Sequence, residues 1–251
     1  MPEYLIWQEK NITDFSDAAV NALYHEGFLF TRKGKGVAIQ TRSLRIDLSR
    51  FEPSSENRRV LRKVEAVTLH IHPLPYQNYH WSLGKLGKDF YEHKFGPGVF
   101  SAQKIKELLT KPEKSNFNRL FLYTCHSECN EESLKTNGRD PSALPQDDSA
   151  PSMPVGYCIA LETNELLHYC YPFYQLSRRP GPDGHRDHLP PNIGLGMMLK
   201  AIVWAKEQGK KYIYLGSFQR PSDTYKLQFE GLEWFDGRQW MTDLEKLKNI
   251  L

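Results

Sequence analysis

The chain lacks any run of about 18 apolar residues, which excludes a conventional membrane-spanning helix. Its first ten residues, MPEYLIWQEK, carry acidic side chains and lack the basic-then-apolar pattern of a secretory leader; a cytoplasmic protein is expected. Cysteine is scarce. The four present, Cys125, Cys129, Cys158 and Cys170, form no CxxC pair, so a disulfide scaffold or zinc ribbon is not indicated and free, partly buried thiols are expected. No single-sign charge excess dominates either, since 33 Lys/Arg face 30 Asp/Glu.

The near balance conceals an uneven distribution. Residues 1–118 hold 18 Lys/Arg against 13 Asp/Glu, whereas residues 126–154 hold 2 against 6. The body is basic, which suits a phosphate-bearing partner. The acidic segment, HSECNEESLKTNGRDPSALPQDDSAPSMP, is almost without apolar residues. It cannot bury enough surface to offset its ordering entropy, and it reads as a disordered insertion between two strands. Its His, Glu and Cys residues are expected to hold no metal.

With 251 residues and 39 % hydrophobic content, the chain can build a full core. Helices are predicted over 14–26 with Asp14 as cap, over 54–66 capped by Ser54 or Ser55, over 82–95, and over 101–111 capped by Ser101. A KGKG turn joins strands in the stretch beginning at Gly27. Strands are predicted at 119–125, 155–163 and 165–175, then a glycine-opened helix over 192–209, a strand at 212–215 and a short helix carrying Tyr225. That order predicts an α+β fold with a mostly antiparallel sheet and one crossover helix. Two parts are expected: a basic N-terminal α/β subdomain over 1–118, and residues 119–251.

Four constellations could carry chemistry. In NIGLGMMLKAIVWAKEQG, Asn192 is a candidate N-cap, and Gly194, Leu195 and Gly196 place free amides at a helix start, where anions are favoured; a plain core helix explains the same pattern. In RFEPSSENRRVLRK, helical spacing puts Arg58 over Arg62 and Arg59 over Lys63, a basic face for a phosphate partner or simply a solvated one. Tyr225 and Lys226 are candidate catalytic residues, Tyr225 as a hydrogen-bond donor to a developing oxyanion, while Tyr225 and Phe229 also fit as core aromatics. The loop RRPGPDGHRDHLPP brings Arg178, Arg179 and Arg186 just ahead of the glycine helix, either completing a substrate pocket with Phe229 and Glu233 or serving as a connector.

Helix, strand, turn and Tyr-Lys helix in this order resemble the donor-site floor of GNAT-fold acyltransferases. Two blocks narrow the resemblance to aminoacyl-tRNA–protein transferases, the arginyl and leucyl transferases. GF at 27–28 with RIDLSRFEPSSENRRVLRK at 45–63 is similar to that family's Arg-Ile-x-Val…Phe-x-Pro-Ser…Arg-Arg…Arg-Lys block. IYLGS…Pro…YKLQFEGLEW is similar to its Tyr-Leu-Gly-Tyr…Pro-Lys-Met-x-Tyr-Lys-x-x-Phe-x-Pro-x-Glu. The chain departs from the family in three places. Thr41 and Ser43 stand where the family's cysteine cluster lies, Ser222-Asp223 replaces Lys-Met, and Gly231 replaces the second proline.

The resemblance implies a GNAT-like fold and transfer of an amino acid of Arg or Leu type from aminoacyl-tRNA to a protein N-terminus. It implies a tRNA-binding role for Arg58, Arg59, Arg62 and Lys63. Without the cysteine cluster, no metal and no cofactor are expected, and a monomer is expected. Two alternatives stay open on the sequence: an acyl-CoA-dependent acyltransferase, and a non-catalytic tRNA or peptide binder of the same fold.

Overall fold

The computed structural model describes residues 5–125, 153–176 and 190–250. Most of the acidic segment and residues 177–189, with Arg178, Arg179 and Arg186, lie outside the described residues. Of the predicted insertion, Met153 and Pro154 belong to a strand instead.

Strand β1 (Gln8–Asn11), helix α1 (Asp17–His25), β2 (Phe28–Phe30) and β3 (Val37–Gln40) open the chain. The three strands form a small antiparallel sheet in the order β1-β3-β2. The cap of α1 is Ser16, whose hydroxyl accepts from Ala19 N–H, and not Asp14. Asp14 instead accepts from the backbone of Ser16, an Asx turn that sets up the cap. Gly27, at φ 80°, ends this helix as predicted.

The main sheet has eight strands: β4 (Ser43–Asp47), β5 (Val67–Pro73), β6 (Arg119–Cys125), β7 (Met153–Glu162), β8 (Leu166–Tyr174), β9 (Tyr212–Ser217), β10 (Leu232–Phe235) and β11 (Trp240–Met241). Their order is β11-β10-β4-β9-β8-β7-β6-β5. Every neighbouring pair is antiparallel except β8 and β9, which are parallel. Their connection carries helix α5 (Ile193–Glu207), the crossover that parallel strands require. The α+β expectation of a mostly antiparallel sheet with one crossover helix is therefore met. Strands from both sides of residue 118 share this one sheet, with β4 inserted between β10 and β9.

Alternation along the strands builds two cores. Phe121, Tyr123 and Ile213 face one side, where α2 (Ser55–Lys63), α5 and α6 (Leu244–Lys248) cover the sheet through Val60, Val64, Met197, Ile202 and Leu247. Leu120, Ile159 and Tyr214 face the other, covered by α1, α3 (Trp81–Phe95) and α4 (Ala102–Thr110) through Tyr24, Leu83, Phe90, Ile105 and Leu108. Helix α2 starts with a capping box: Ser54 accepts from Asn57 N–H, and the Asn57 side chain accepts from Ser54 N–H. Cys158 and Cys170 are free thiols as expected, whereas Cys125 is disulfide-bonded. Among the described residues no helix is long and apolar enough to cross a membrane, and no cluster of His, Cys, Asp and Glu is arranged to hold a metal.

Candidate active site

The parallel pairing of β8 and β9 runs only from Leu166↔Tyr212 to His168↔Tyr214. Beyond that row β8 continues to Tyr174 and β9 to Ser217 unpaired to each other, so the strands splay. A register shift between Ile159 and Ala160 leaves Cys170 as the extra residue of β8, a bulge at the base of the splay. Gly216, at φ 78°, sits within β9 at the register shift against β4 between Ser43 and Arg45, a bulge.

Lys226 lies against the β9 side of this splay. It sits on the predicted short helix, a 3-10 helix over Pro221–Gln228, and is 7 % exposed. Its Nζ donates to the Ser217 carbonyl at 3.0 Å and pairs with Asp223 Oδ1 at 3.2 Å. Burial pushes the ammonium's pKa down, and the Asp223 carboxylate opposes that shift. Asp223 also accepts from the N–H groups of Gln219 and Arg220 at 3.0 Å each, so one carboxylate both fixes the turn and holds the lysine. The residue that departs from the family's Lys-Met is thus the one that positions Lys226.

Tyr225 is 44 % exposed beside it. Crowding around its ring, then the Asp223 charge and the Tyr174 phenol, push its pKa well up, so the hydroxyl keeps its proton. Tyr174, at the end of β8, lies against the first turn of α5: a β-carbon on Gly194 would stand 2.8 Å from its ring. A β-carbon on Gly196 would stand 2.5 Å from Val64 Cγ1 at the end of α2. Gly196 is therefore demanded by packing, whereas a β-carbon at 194 would require the Tyr174 ring to shift. Asn192 departs from the cap expectation. It adopts a left-handed conformation (φ 65°) and its side chain makes no cap, so the first-turn amides of Ile193, Gly194 and Leu195 have no side-chain cap among the described residues.

Helix α2 joins the same region. Besides the packing of Val64 on Gly196, the buried Asn57 donates to Gln228 Oε1 at 3.2 Å, tying α2 to the Tyr-Lys segment. Arg58, Arg59, Arg62 and Lys63 are all exposed or partly exposed. Arg59 pairs with Glu56, while Arg58, Arg62 and Lys63 form no ion pair among the described residues. Three of the four sequence constellations thus converge.

Two predicted pocket residues lie elsewhere. Phe229, 2 % exposed, is part of the core under α5, as its i, i+4 relation to Tyr225 allowed. Glu233, on β10, accepts from Arg45 Nε at 2.8 Å. Arg45 is stacked between the rings of Tyr212 (4.0 Å) and Trp240 (3.9 Å), so this pair clamps β4, β9, β10 and β11 together, away from the splay. A 440 Å³ surface hollow lined by His25, Gln40 and Trp240 lies next to that clamp, not at the splay.

Sequence reasoning missed His168. It is 1 % exposed and sits at the last paired row before the splay. The Tyr24 hydroxyl accepts from Phe30 N–H at 3.2 Å and shares a hydrogen bond with His168 Nδ1 at 2.9 Å. The other ring nitrogen, Nε2, is buried and has no hydrogen-bond partner among the described residues. Burial, then the Lys226 charge, lower its pKa to about 3, so the ring is neutral. The only sequence signal was a lone polar residue in the apolar strand ELLHYCYPFY.

The chain matches no family model. It is 31 % identical over 99 residues to a protein named aspartate/glutamate leucyltransferase from Stenotrophomonas maltophilia, a stretch covering 39 % of this chain and only 36 % of that relative's length. It is 26 % identical over 240 residues to a protein of the same name from Ruegeria pomeroyi, covering 90 % of this chain and 73 % of the relative. Among solved structures it is similar to FemX, with a TM-score of 0.41 and 14 % identity over 81 % of this chain and 60 % of FemX. By sequence the chain is thus similar, over most of its length, to proteins named aspartate/glutamate leucyltransferase, which fall among the aminoacyl-tRNA–protein transferases that its two motif blocks resemble.

Proposed function

We propose that this chain moves an amino acid from aminoacyl-tRNA to the N-terminus of an acceptor protein. The relatives' name points to leucine as the donor residue and to an acidic first residue on the acceptor. The observation that carries the reading is the convergence at the β8–β9 splay of the held Lys226, the protonated Tyr225, the start of α5, which has no side-chain cap among the described residues, and the basic helix α2.

In this reading Arg58, Arg59, Arg62 and Lys63 hold the tRNA backbone, and the α5 amides around Gly194 and Leu195 receive a phosphate of its 3′ end. The acceptor's α-amine has an ordinary pKa of about 7.7 to 8.0, so a sizeable neutral fraction exists near pH 7.5 without a strong general base. The amine attacks the ester carbonyl; the C–N bond forms, the ester C–O bond breaks, and the 3′-oxygen leaves as a hydroxyl, taking up the proton the amine nitrogen gives up. Tyr225 is the hydrogen-bond donor to the oxygen that gains charge, and Lys226 supplies positive potential beside it. Positioning accounts for much of the rate. One chain is the working unit, its sheet faces being covered by its own helices, and the reaction belongs where charged tRNA is available, in the cytoplasm. Incubating the protein with charged tRNA and Asp-initiated peptides, and weighing the peptides, tests this reading.

A further inference from the structure

Arg32, just beyond β2, stands outside the catalytic cluster at Lys226 and Tyr225. Its guanidinium lies 4.8 Å from the Phe100 ring centre and 5.9 Å from that of Tyr171, and Nη2 donates to the Val99 carbonyl at 2.6 Å. The side chain is half-buried and forms no ion pair among the described residues. A cation withdrawn from water, held by two rings and one carbonyl, lacks the counter-charge that normally offsets such burial. The two rings and the Val99 carbonyl hold the guanidinium in place, and a guanidinium fork can receive a carboxylate through two parallel hydrogen bonds.

Its place in the fold says which ligand can reach it. Tyr171 lies on the part of β8 that has splayed from β9, one residue past the bulged Cys170. The Cys170 thiol lies within electrostatic reach of both Arg32 and Lys226. Phe100 continues into a row of rings, Tyr91 at 4.9 Å and then Phe95 stacked on Tyr91 at 5.7 Å, and Phe95 carries the Arg220 guanidinium at 5.2 Å. Phe100 and Tyr91 belong to the core face under α3 and α4, whereas α2 with its basic residues covers the opposite face. A ligand at Arg32 therefore approaches from the side of the sheet away from α2, the proposed tRNA surface. The carboxylate of a small acidic side chain fits that approach.

We propose that Arg32 reads the side-chain carboxylate of the acceptor's first residue, directing that residue's α-amine toward Lys226 and Tyr225. This rests on the transfer reading above and supplies its acceptor specificity. The test is calorimetric binding, without tRNA, of short peptides that differ only in an initial Asp or Asn. The native protein should bind the Asp peptide about ten- to a hundredfold more tightly, the range for losing hydrogen bonds to a charged group. Arg32→Gln should erase the difference. Should Arg32→Gln fail to fold by circular dichroism, Arg32→Lys keeps the charge and loses the fork, and it should lower the Asp/Asn ratio several-fold. Equal binding of the two peptides by the native protein, an undiminished ratio in the variant, or a loss confined to tRNA affinity would each overturn the proposal. Because tRNA is left out, a missing preference counts against Arg32, whereas a missing transfer product counts against the proposed activity.

Discussion

Gly196 of α5 meets Val64 of α2 so closely that a β-carbon at 196 would lie 2.5 Å from Val64 Cγ1. Two constellations far apart in sequence, the basic helix and the glycine helix, are thereby set side by side. Gly196→Ala should destabilise the protein by about 1–3 kcal/mol, as overpacking does, even though alanine favours a helix by up to about 1 kcal/mol. Adding Val64→Ala should recover part of the loss, giving a non-additive double-mutant cycle in urea unfolding. Additive losses would show that the two residues do not press on each other.

Asp223 and Lys226 should respond unequally. Asp223→Ala removes the acceptor of two backbone N–H groups and leaves a buried ammonium without its carboxylate, costing about 1–3 kcal/mol or more. Lys226→Met removes the charge itself and leaves Asp223 bonded to the turn, so stability should change little. Transfer activity should fall with Lys226→Met through kcat while the fold persists. Equal destabilisation by the two changes would mean the pair does not hold the turn.

Glu233 and Arg45 predict a stability effect of the same kind without selectivity for substrate. Breaking this largely buried pair with Glu233→Gln should lower stability by about 3 kcal/mol, since Arg45 stays stacked between Tyr212 and Trp240 with its partner neutralised. At a temperature where the variant stays folded, its KM for either substrate should match that of the native protein. A rise in KM with unchanged melting would return Glu233 to the substrate pocket.

His168 gives a pH signature. Its pKa is about 3 in the folded chain and about 6.5 in the unfolded one, so between these values only the unfolded state takes up the proton. The stability contributed by the neutral buried ring is present above pH 6.5 and is lost as the pH falls toward 3, with a slope approaching about 1.4 kcal/mol per pH unit inside the window. His168→Asn should flatten the dependence of melting temperature on pH over that range. An unchanged pH profile would show that His168 does not titrate on unfolding.

Local signals in the sequence were reliable where short-range chemistry decides the structure. Ser54 and Ser101 cap their helices, and 119–125 is a strand, because caps and period-two patterns act over a few residues. What the sequence concealed is long-range. Strand β4 pairs with β10 and β9, at least 165 residues away, so Glu233 looked like a pocket residue until Arg45 appeared beside it. Asn192 has the residue type of a cap, yet its left-handed backbone turns the side chain out of that role. Gly194 and Gly196 suggested a phosphate cradle, and their first demand is room for Tyr174 and Val64. Arg32 and His168 carried no motif; only the fold sets one between aromatic rings and leaves the other with a buried ring nitrogen that has no partner among the described residues.

The basic face of α2 predicts a salt effect. Replacing Arg58 and Arg62, both without an ion pair among the described residues, with Ala should weaken tRNA binding. The slope of log affinity against log salt should decrease by about 0.7–0.9 for each phosphate that is no longer neutralised. Unchanged affinity at low salt would move the tRNA surface elsewhere.

The most direct measurement is mass spectrometry of defined peptides, beginning with Asp, Glu, Lys or Arg, after incubation with the protein and a pool of charged tRNA. The account predicts that the Asp and Glu peptides gain one residue mass, leucine, and that Lys226→Met suppresses the gain. Consumption of an acyl-CoA with no peptide gaining a residue would contradict it.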